Sequence, residues 1–439
     1  MDGGIMKYIR RLTDAVIDRR LKAFNAIQIA GPKGCGKTRT CKERCKTCIE
    51  FQDEERREGW LQIAETAPSL FLGNEKPILF DEWQDAPKIW GAVRKDCDDH
   101  PEDTGSYYLT GSSSKKIETP HTGTGRITTV NMMTMTLWES GDSDGSVSLT
   151  EYLNNPDYNP AALSRMKLED LFYIVCRGGW PRCLEIRDHE GKLEIAKDYY
   201  RQIYTKDISA IDGIRRNPEI ARILLQSYAR NTATIAKKTS IYADVQATQN
   251  VTAPTLASYV NALERLYVIR DLDAWTPQIR SKTAIRASKK HIFTDPSVAA
   301  AALGISPDYF RNDLDVFGHL FENLVLRDLL AYAEAHGAHV MHYRDDSGLE
   351  ADAVYQTEDG RYALIEIKTG TNAIGQAEKG LLRLKQLIIA HNEKSSDNPA
   401  HPKVKYREPS ALIIICANAP MAYTTAGGVK VVPFGCLKD

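Results

Sequence analysis

An α/β fold built from more than one unit is what this sequence predicts, and three stretches carry the prediction. Ala26-Ile27-Gln28-Ile29-Ala30, apolar and β-prone, runs directly into Gly31-Pro32-Lys33-Gly34-Cys35-Gly36-Lys37-Thr38, after which a helix should begin. Pro77-Ile78-Leu79-Phe80-Asp81-Glu82 reads as a buried parallel strand ending in two carboxylates. Far downstream, Asp352 to Gln356 and Tyr362 to Lys368 flank Glu358-Asp359-Gly360, a hairpin with its turn glycine. Strand, loop and helix in succession is α/β order, and 439 residues divide into roughly two to four domains of ordinary size.

Gly31 to Thr38 satisfies Gly-x4-Gly-Lys-[Ser/Thr] at every fixed position. Backbone N–H groups can close around a triphosphate where glycines keep side chains away. Gly31, Pro32, Lys33, Gly34, Cys35 and Gly36 would form that cradle, Lys37 would bridge phosphate oxygens, and the Thr38 hydroxyl would ligate magnesium. ATP with Mg2+ is the expected cofactor pair. Asp81, at the tip of the neighbouring strand, would hold the metal through its water shell, and Glu82 would polarise the attacking water.

Bulk composition excludes several classes. Lys plus Arg number 57 against 58 Asp plus Glu, so attraction for nucleic acid must come from local clusters. The longest apolar run, Ala411 to Ala417, is too short to span a bilayer, and residues 1–11 lack a signal-peptide core; a cytoplasmic protein without a membrane partner is expected. Nine cysteines, an odd number, suit a reducing compartment. Cys41, Cys45 and Cys48 have the Cys-x3-Cys-x2-Cys spacing of iron–sulfur radical enzymes. A cluster needs a wrapping loop, whereas these residues fall where a helix should begin, and i, i+4, i+7 spacing makes them a buried helical stripe.

A basic amphipathic helix from about Thr13 to Lys22 precedes the first strand. A third strand, Tyr107 to Thr110, ends in Gly111-Ser112-Ser113, where Ser112 would sense the terminal phosphate or simply sit in a polar turn. His121-Thr122-Gly123-Thr124-Gly125-Arg126 carries one arginine in a Gly/Thr loop. Arg126 could meet transition-state charge in cis or from a neighbouring subunit, the latter requiring a homo-oligomer.

With these residues in hand the sequence resembles the predicted AAA+ ATPases of the DUF4143 type, which carry an uncharacterised C-terminal domain. The likeness rests on Gly31 to Thr38, Asp81-Glu82-Trp83-Gln84 with Pro87, Leu109-Thr110-Gly111-Ser112, Gly125-Arg126 and Arg177-Gly178-Gly179-Trp180-Pro181, and it covers nearly the whole chain. It implies an AAA+-type ATPase domain at 1–160 and ATP use. The cysteine-rich stretch after the loop departs from the group.

Asp142, Asp144, Gly145, Ser146, Ser148 and Glu151 mimic an EF-hand loop, but its first ligand would be Ser140, and Thr134 to Trp138 reads as a strand instead of an entering helix. A helical and winged-helix middle is expected at 161–290. Leu163 to Ser209 is helical apart from a turn at Gly178-Gly179-Trp180-Pro181. Asn217-Pro218-Glu219 caps a helix, Thr232 to Lys238 forms a short second one, and a third starts near Pro254 before a strand at Val268 to Leu272. In the wing, Arg280, Lys282, Arg286, Lys289 and Lys290 stand near His291 and an exposed-looking Trp275 with no acid among them; they either bind DNA phosphates or pack against an acidic neighbour.

The end, 291–439, opens with a long helix carrying Phe317, Leu320, Phe321 and Leu324 inward and Glu322 beside them. Symmetry about Asp359 puts Asp352 opposite Glu366, with Lys368 on the same face. Facing carboxylates call for a divalent cation, and a lysine beside them could deprotonate its water. This resembles the restriction-endonuclease-like core, Asp followed by Glu-x-Lys, with Glu322 as the helix-borne acid and a second divalent metal implied. A helix at Gly375 to Leu387 and strands at Ala411 to Ile415 and Val429 to Val432 complete the unit. The expected function is an ATPase acting on or regulated by DNA; the alternative is a nucleotide-controlled binding switch with an inert nuclease-like domain.

Overall fold

The computed structural model describes residues 7–111, 122–277, 288–396 and 405–439. Five parallel strands form the first sheet: β1 Ala26–Ala30, β2 Thr47–Glu50, β3 Ile78–Asp81, β4 Tyr107–Gly111 and β5 Ile127–Asn131, in the order β2-β3-β4-β1-β5. Alternation sorts their side chains. Ile78, Phe80, Tyr107 and Leu109 face the helices Arg57–Thr66 and Lys88–Asp99, while Ile27, Ile29, Leu79, Tyr108 and Val130 face the helices Leu12–Arg20 and Lys37–Lys42. The loop strand and the Asp81 strand are not neighbours as expected, because β4 lies between them.

Beyond Asn131 the chain changes partners. Residues 134–138 form turns and no strand, since their buried side chains and amides bond to later segments. Met133, Leu137, Leu149 and Tyr152 belong to a core that continues through the middle of the chain to Phe434 and Leu437. Strand β6, Val147–Ser148, pairs in parallel with the last strand, β15, Leu437–Lys438.

Helices Leu168–Arg177, Arg182–Glu185 and His189–Gln202 are broken at Gly178, as the Gly-Gly-Trp-Pro sequence requires. Helices Pro218–Arg230, Lys238–Gln246 and Ala253–Arg265 follow, then β7 Ile269–Leu272 antiparallel to β8 Lys290–Phe293. The second of these helices begins at Lys238 and not at Thr232, because the Thr232 hydroxyl bonds Asn323 Oδ1 (2.8 Å) and the Ala233 N–H bonds the His291 carbonyl (2.7 Å). After Pro296 come two helices where one was expected, Pro296–Leu303 and Leu314–His336; Gly304 ends the first in the left-handed region.

The second sheet has the order β13-β14-β12-β11-β10-β9, from β9 Ala338–Arg344, β10 Glu350–Thr357, β11 Tyr362–Lys368, β12 Ala411–Cys416, β13 Tyr423–Thr424 and β14 Lys430–Pro433. The hairpin has the expected register, with Ala353 opposite Ile365. A bulge at Ala351/Val354 against β9 re-aims Asp352. Helix Leu314–His336 covers one face and helix Ile374–Ser396 the other. Among the described residues no helix is long and apolar enough to cross a membrane.

Candidate functional site

The glycine loop leaves β1 in a shape that side chains would block. Gly31 has φ 154°, and a Cβ there would stand 2.2 Å from the Met132 carbonyl oxygen; Gly36, φ 109°, caps the helix Lys37–Lys42. Lys37 is buried, and its ammonium donates to the carbonyls of Gly31 (2.9 Å) and Pro32 (2.8 Å). From outside the motif, Arg11 donates to the carbonyls of Cys35 (2.8 Å) and Met133 (3.0 Å) and pairs with Glu139 at 2.9 Å. Sequence reading missed Arg11, since nothing local marks an arginine before a surface-patterned helix.

The intervening strand joins Asp81 to the loop. Thr38 Oγ1 donates to Asp81 Oδ1 at 2.7 Å, and the Thr110 hydroxyl of β4 reaches the same oxygen. Hydroxyl and carboxylate oxygens converging beside the loop are the donor set a hard cation such as Mg2+ takes, so Thr38 and Asp81 fit that ion. Glu82 follows with φ 54° and ψ 44°, a backbone strain that non-glycine residues hold mainly where function requires it. Its carboxylate accepts from the Gln84 side-chain amide. Lys33, Lys37, Thr38, Gln52, Glu82 and Gln84 line one side of a cavity of about 610 Å³, and Asp207, Ala210, Ile211 and Leu266 contribute the other.

The C-terminal acids also meet. Asp352 Oδ2 accepts from the Ile367 N–H at 2.7 Å and lies 3.3 Å from Lys368 Nζ, which also pairs with Glu366. The unexpected member is Lys290 of β8. Its ammonium pairs with Glu322, donates to the Asp352 carbonyl at 3.1 Å and stands 3.9 Å from Asp352 Oδ1. A buried ammonium thus occupies the space between the helix-borne acid and the hairpin acid. Among the described residues no group of three or more His, Cys, Asp or Glu is disposed to hold a metal ion, and at this pocket the expected second divalent metal would have to displace the Lys290 ammonium from the acids.

Burial pushes Glu322 up to about 7, with Lys290 pulling the other way, and burial with the nearby Asp352 charge pushes Glu366 up to about 8. A raised carboxyl pKa stabilises the fold below the unfolded value, and that stability is lost as pH rises through the folded one. Glu366→Gln, which cannot ionise, is therefore expected to gain stability on the native protein between about pH 4.5 and pH 8, as followed by urea denaturation across that range. A constant difference would contradict it.

Family models match three successive stretches: the AAA domain at residues 23–140, a domain of unknown function (DUF8612) at 168–309, and a second domain of unknown function (DUF4143) at 317–437. By these matches the chain carries an AAA domain followed, at its C-terminal side, by a DUF4143 domain. No curated protein matches it. Among solved structures, the Walker-type ATPase PABY2304 of Pyrococcus abyssi is similar at 14% identity and TM-score 0.41, covering 67% of this chain and 96% of its own. A signal-transduction ATPase with numerous domains and a tetratricopeptide-repeat sensor, from Pyrococcus horikoshii, is similar at 12% identity and TM-score 0.20, covering 75% and 48%.

Several expected residues of this AAA/DUF4143 chain stand elsewhere. Arg126 precedes β5, whose start pairs with Ala26 at the beginning of β1, whereas the loop follows the end of β1. It therefore sits at the opposite end of the sheet, bonded to Asp98 at 2.6 Å, and the cis role is ruled out by the length of a strand. Ser112 lies outside the described residues, as do Arg280, Lys282 and Arg286. Trp275 is buried, its indole donating to Gln356 Oε1 at 3.0 Å. Lys289 pairs with Asp273 at 2.9 Å, and buried His291 meets Asp271 at 2.6 Å; the wing cations that are described have acidic partners. The helix after the loop ends at Lys42, so Cys45 lies just past the turn that follows it and Cys48 on β2. All three thiols are free, pack with the core and are raised by burial, so they stay protonated at neutral pH.

Proposed function

We propose that the protein binds MgATP at Gly31 to Thr38 and hydrolyses it, using the cycle as a switch that alters how its later domains hold a partner. The observation that supports this is the meeting of Thr38, Asp81 and Thr110 beside a loop whose lysine is already turned inward. Lys37 would contact the phosphates, Thr38 and Asp81 would hold the ion and its waters, and Glu82 would draw a proton from the attacking water. When bound, magnesium neutralises charge on the phosphate oxygens. A smaller cavity of about 150 Å³ beside the same helix, where Ile9, Met135, Pro181 and Leu184 meet the charged Lys7, Arg11, Arg39 and Glu185, would offer the base a seat with both apolar and polar walls.

For the later domains, a winged helix followed by a restriction-endonuclease-like fold remains the reading that the element order supports. Lys290 in the acid pocket favours a binding platform over strand cleavage. A DNA role rests chiefly on Arg280, Lys282 and Arg286, and homo-oligomerisation would be needed for Arg126 to act on a neighbour's nucleotide.

The test is ATP hydrolysis in Mg2+ or Mn2+, with and without plasmid DNA, scored also for nicking. Turnover with intact DNA is expected. Glu82→Gln should lower kcat by about 100-fold or more while ATP affinity changes little. Absence of turnover in the native protein would remove the ATPase reading, and nicking lost in Glu366→Ala would restore the nuclease.

A further inference from the structure

We infer that Asp207 makes the phosphate loop discriminate between nucleoside di- and triphosphates, by competing with the terminal phosphoryl group for Lys33. The inference rests on the nucleotide reading above and concerns how that site is regulated. Its ground is an ion pair that crosses from the ATPase sheet to the helical middle. Lys33 Nζ lies 2.6 Å from Asp207 Oδ1, with the Asp207 side chain 8% exposed and that of Lys33 46%. Such a carboxylate in the wall of a cavity shaped for polyphosphate is electrostatically the wrong group, unless its charge is balanced when the phosphate is short and released when it is long.

The surroundings suit that role. Asp207 closes a single π-helical turn, Ile203–Asp207, an element that interrupts regular hydrogen bonding and recurs at functional sites. Ala210 and Ile211, just beyond it, line the same cavity as Lys37 and Thr38. Trp180 packs at a tilt against Tyr199 of the helix leading into the turn, with ring centroids 4.6 Å apart, and its ring lies against Gly34. The loop tip is therefore met by two side chains of the helical middle, Asp207 and Trp180, with Tyr199 packed behind the indole. A triphosphate carries one more phosphoryl group and its charge, for which the half-exposed Lys33 ammonium in the cavity wall is a donor it can draw from Asp207. Taking it leaves Asp207 facing like charge, and the helical middle is pushed away from the loop. A diphosphate leaves the pair closed.

The experiment measures Kd for ADP and for a non-hydrolysable ATP analogue in the full chain by calorimetry at fixed salt. Asp207→Asn should tighten the triphosphate analogue by about tenfold and ADP by less than about twofold. Asp207→Ser should do the same. In a Lys33→Met background Asp207→Asn should have a much smaller and less selective effect, limited to the carboxylate's own repulsion, because the contested cation is gone. Equal tightening of both nucleotides, no tightening, or a roughly tenfold triphosphate-selective effect that survives Lys33→Met would overturn the inference while leaving the ATP site standing. If the native protein binds neither nucleotide, the site reading and the inference fall together.

Discussion

Lys37→Ala is expected to weaken ATP binding by at least about 100-fold and to bring turnover to background. The buried ammonium donates to the carbonyls of Gly31 and Pro32, so the loop keeps a cation at its centre whether or not phosphate is there. Alanine removes the charge that would meet the phosphates and also unties the loop's own ends. The two effects separate by measurement. Loss of charge alone lowers affinity with the thermal transition unmoved, whereas collapse of the loop would also lower the transition of the first sheet. Titration with a fluorescent ATP analogue beside a melting curve checks both. Unchanged affinity would mean that the loop holds no nucleotide.

Lys290→Met is expected to cost about 3–5 kcal/mol of stability, the usual penalty for stranding a buried charge by removing its partner. Glu322 and Asp352 both face that ammonium; Asp352 is buried and Glu322, on the helix Leu314–His336, is mostly covered. Methionine fills most of the volume and takes the cation from Glu322, while Asp352 keeps Lys368 at 3.3 Å. The double variant Lys290→Met/Glu322→Gln should recover most of the loss, since a neutral pair in apolar surroundings is often as stable as the ions it replaces. Urea denaturation of the three proteins decides it. A single variant as stable as the native protein would mean that Lys290 does not balance the pocket.

The parts legible in the sequence were those written locally. The phosphate loop, the strand ending in Asp81, and the register of the hairpin about Asp359 each follow from spacing within a few residues of a glycine turn. What escaped was carried by distance along the chain. Lys290 read as one of five wing cations because its acids come 32 and 62 residues later, and β8, buried at all four positions, offers no alternation to reveal which way the lysine points. Asp207 meets Lys33 across 174 residues. The cysteine stripe was misread because a helix was extended past Lys42 on spacing alone. There the chain must turn at once to supply β2, whose partner β3 fixes its register.

One chain of buried ions links the two ends of the molecule. Arg11 ties Cys35 to Glu139, and the Glu139 carboxylate accepts the Thr136 amide. The next amide, Leu137, goes to Asp328, which pairs with Arg327 and through it Asp295. Asp328 lies on the same helix as Glu322. Tension applied where the nucleotide sits therefore has a route of buried ion pairs and amides to the helix over the far sheet, in addition to the Lys33–Asp207 contact with the helical middle.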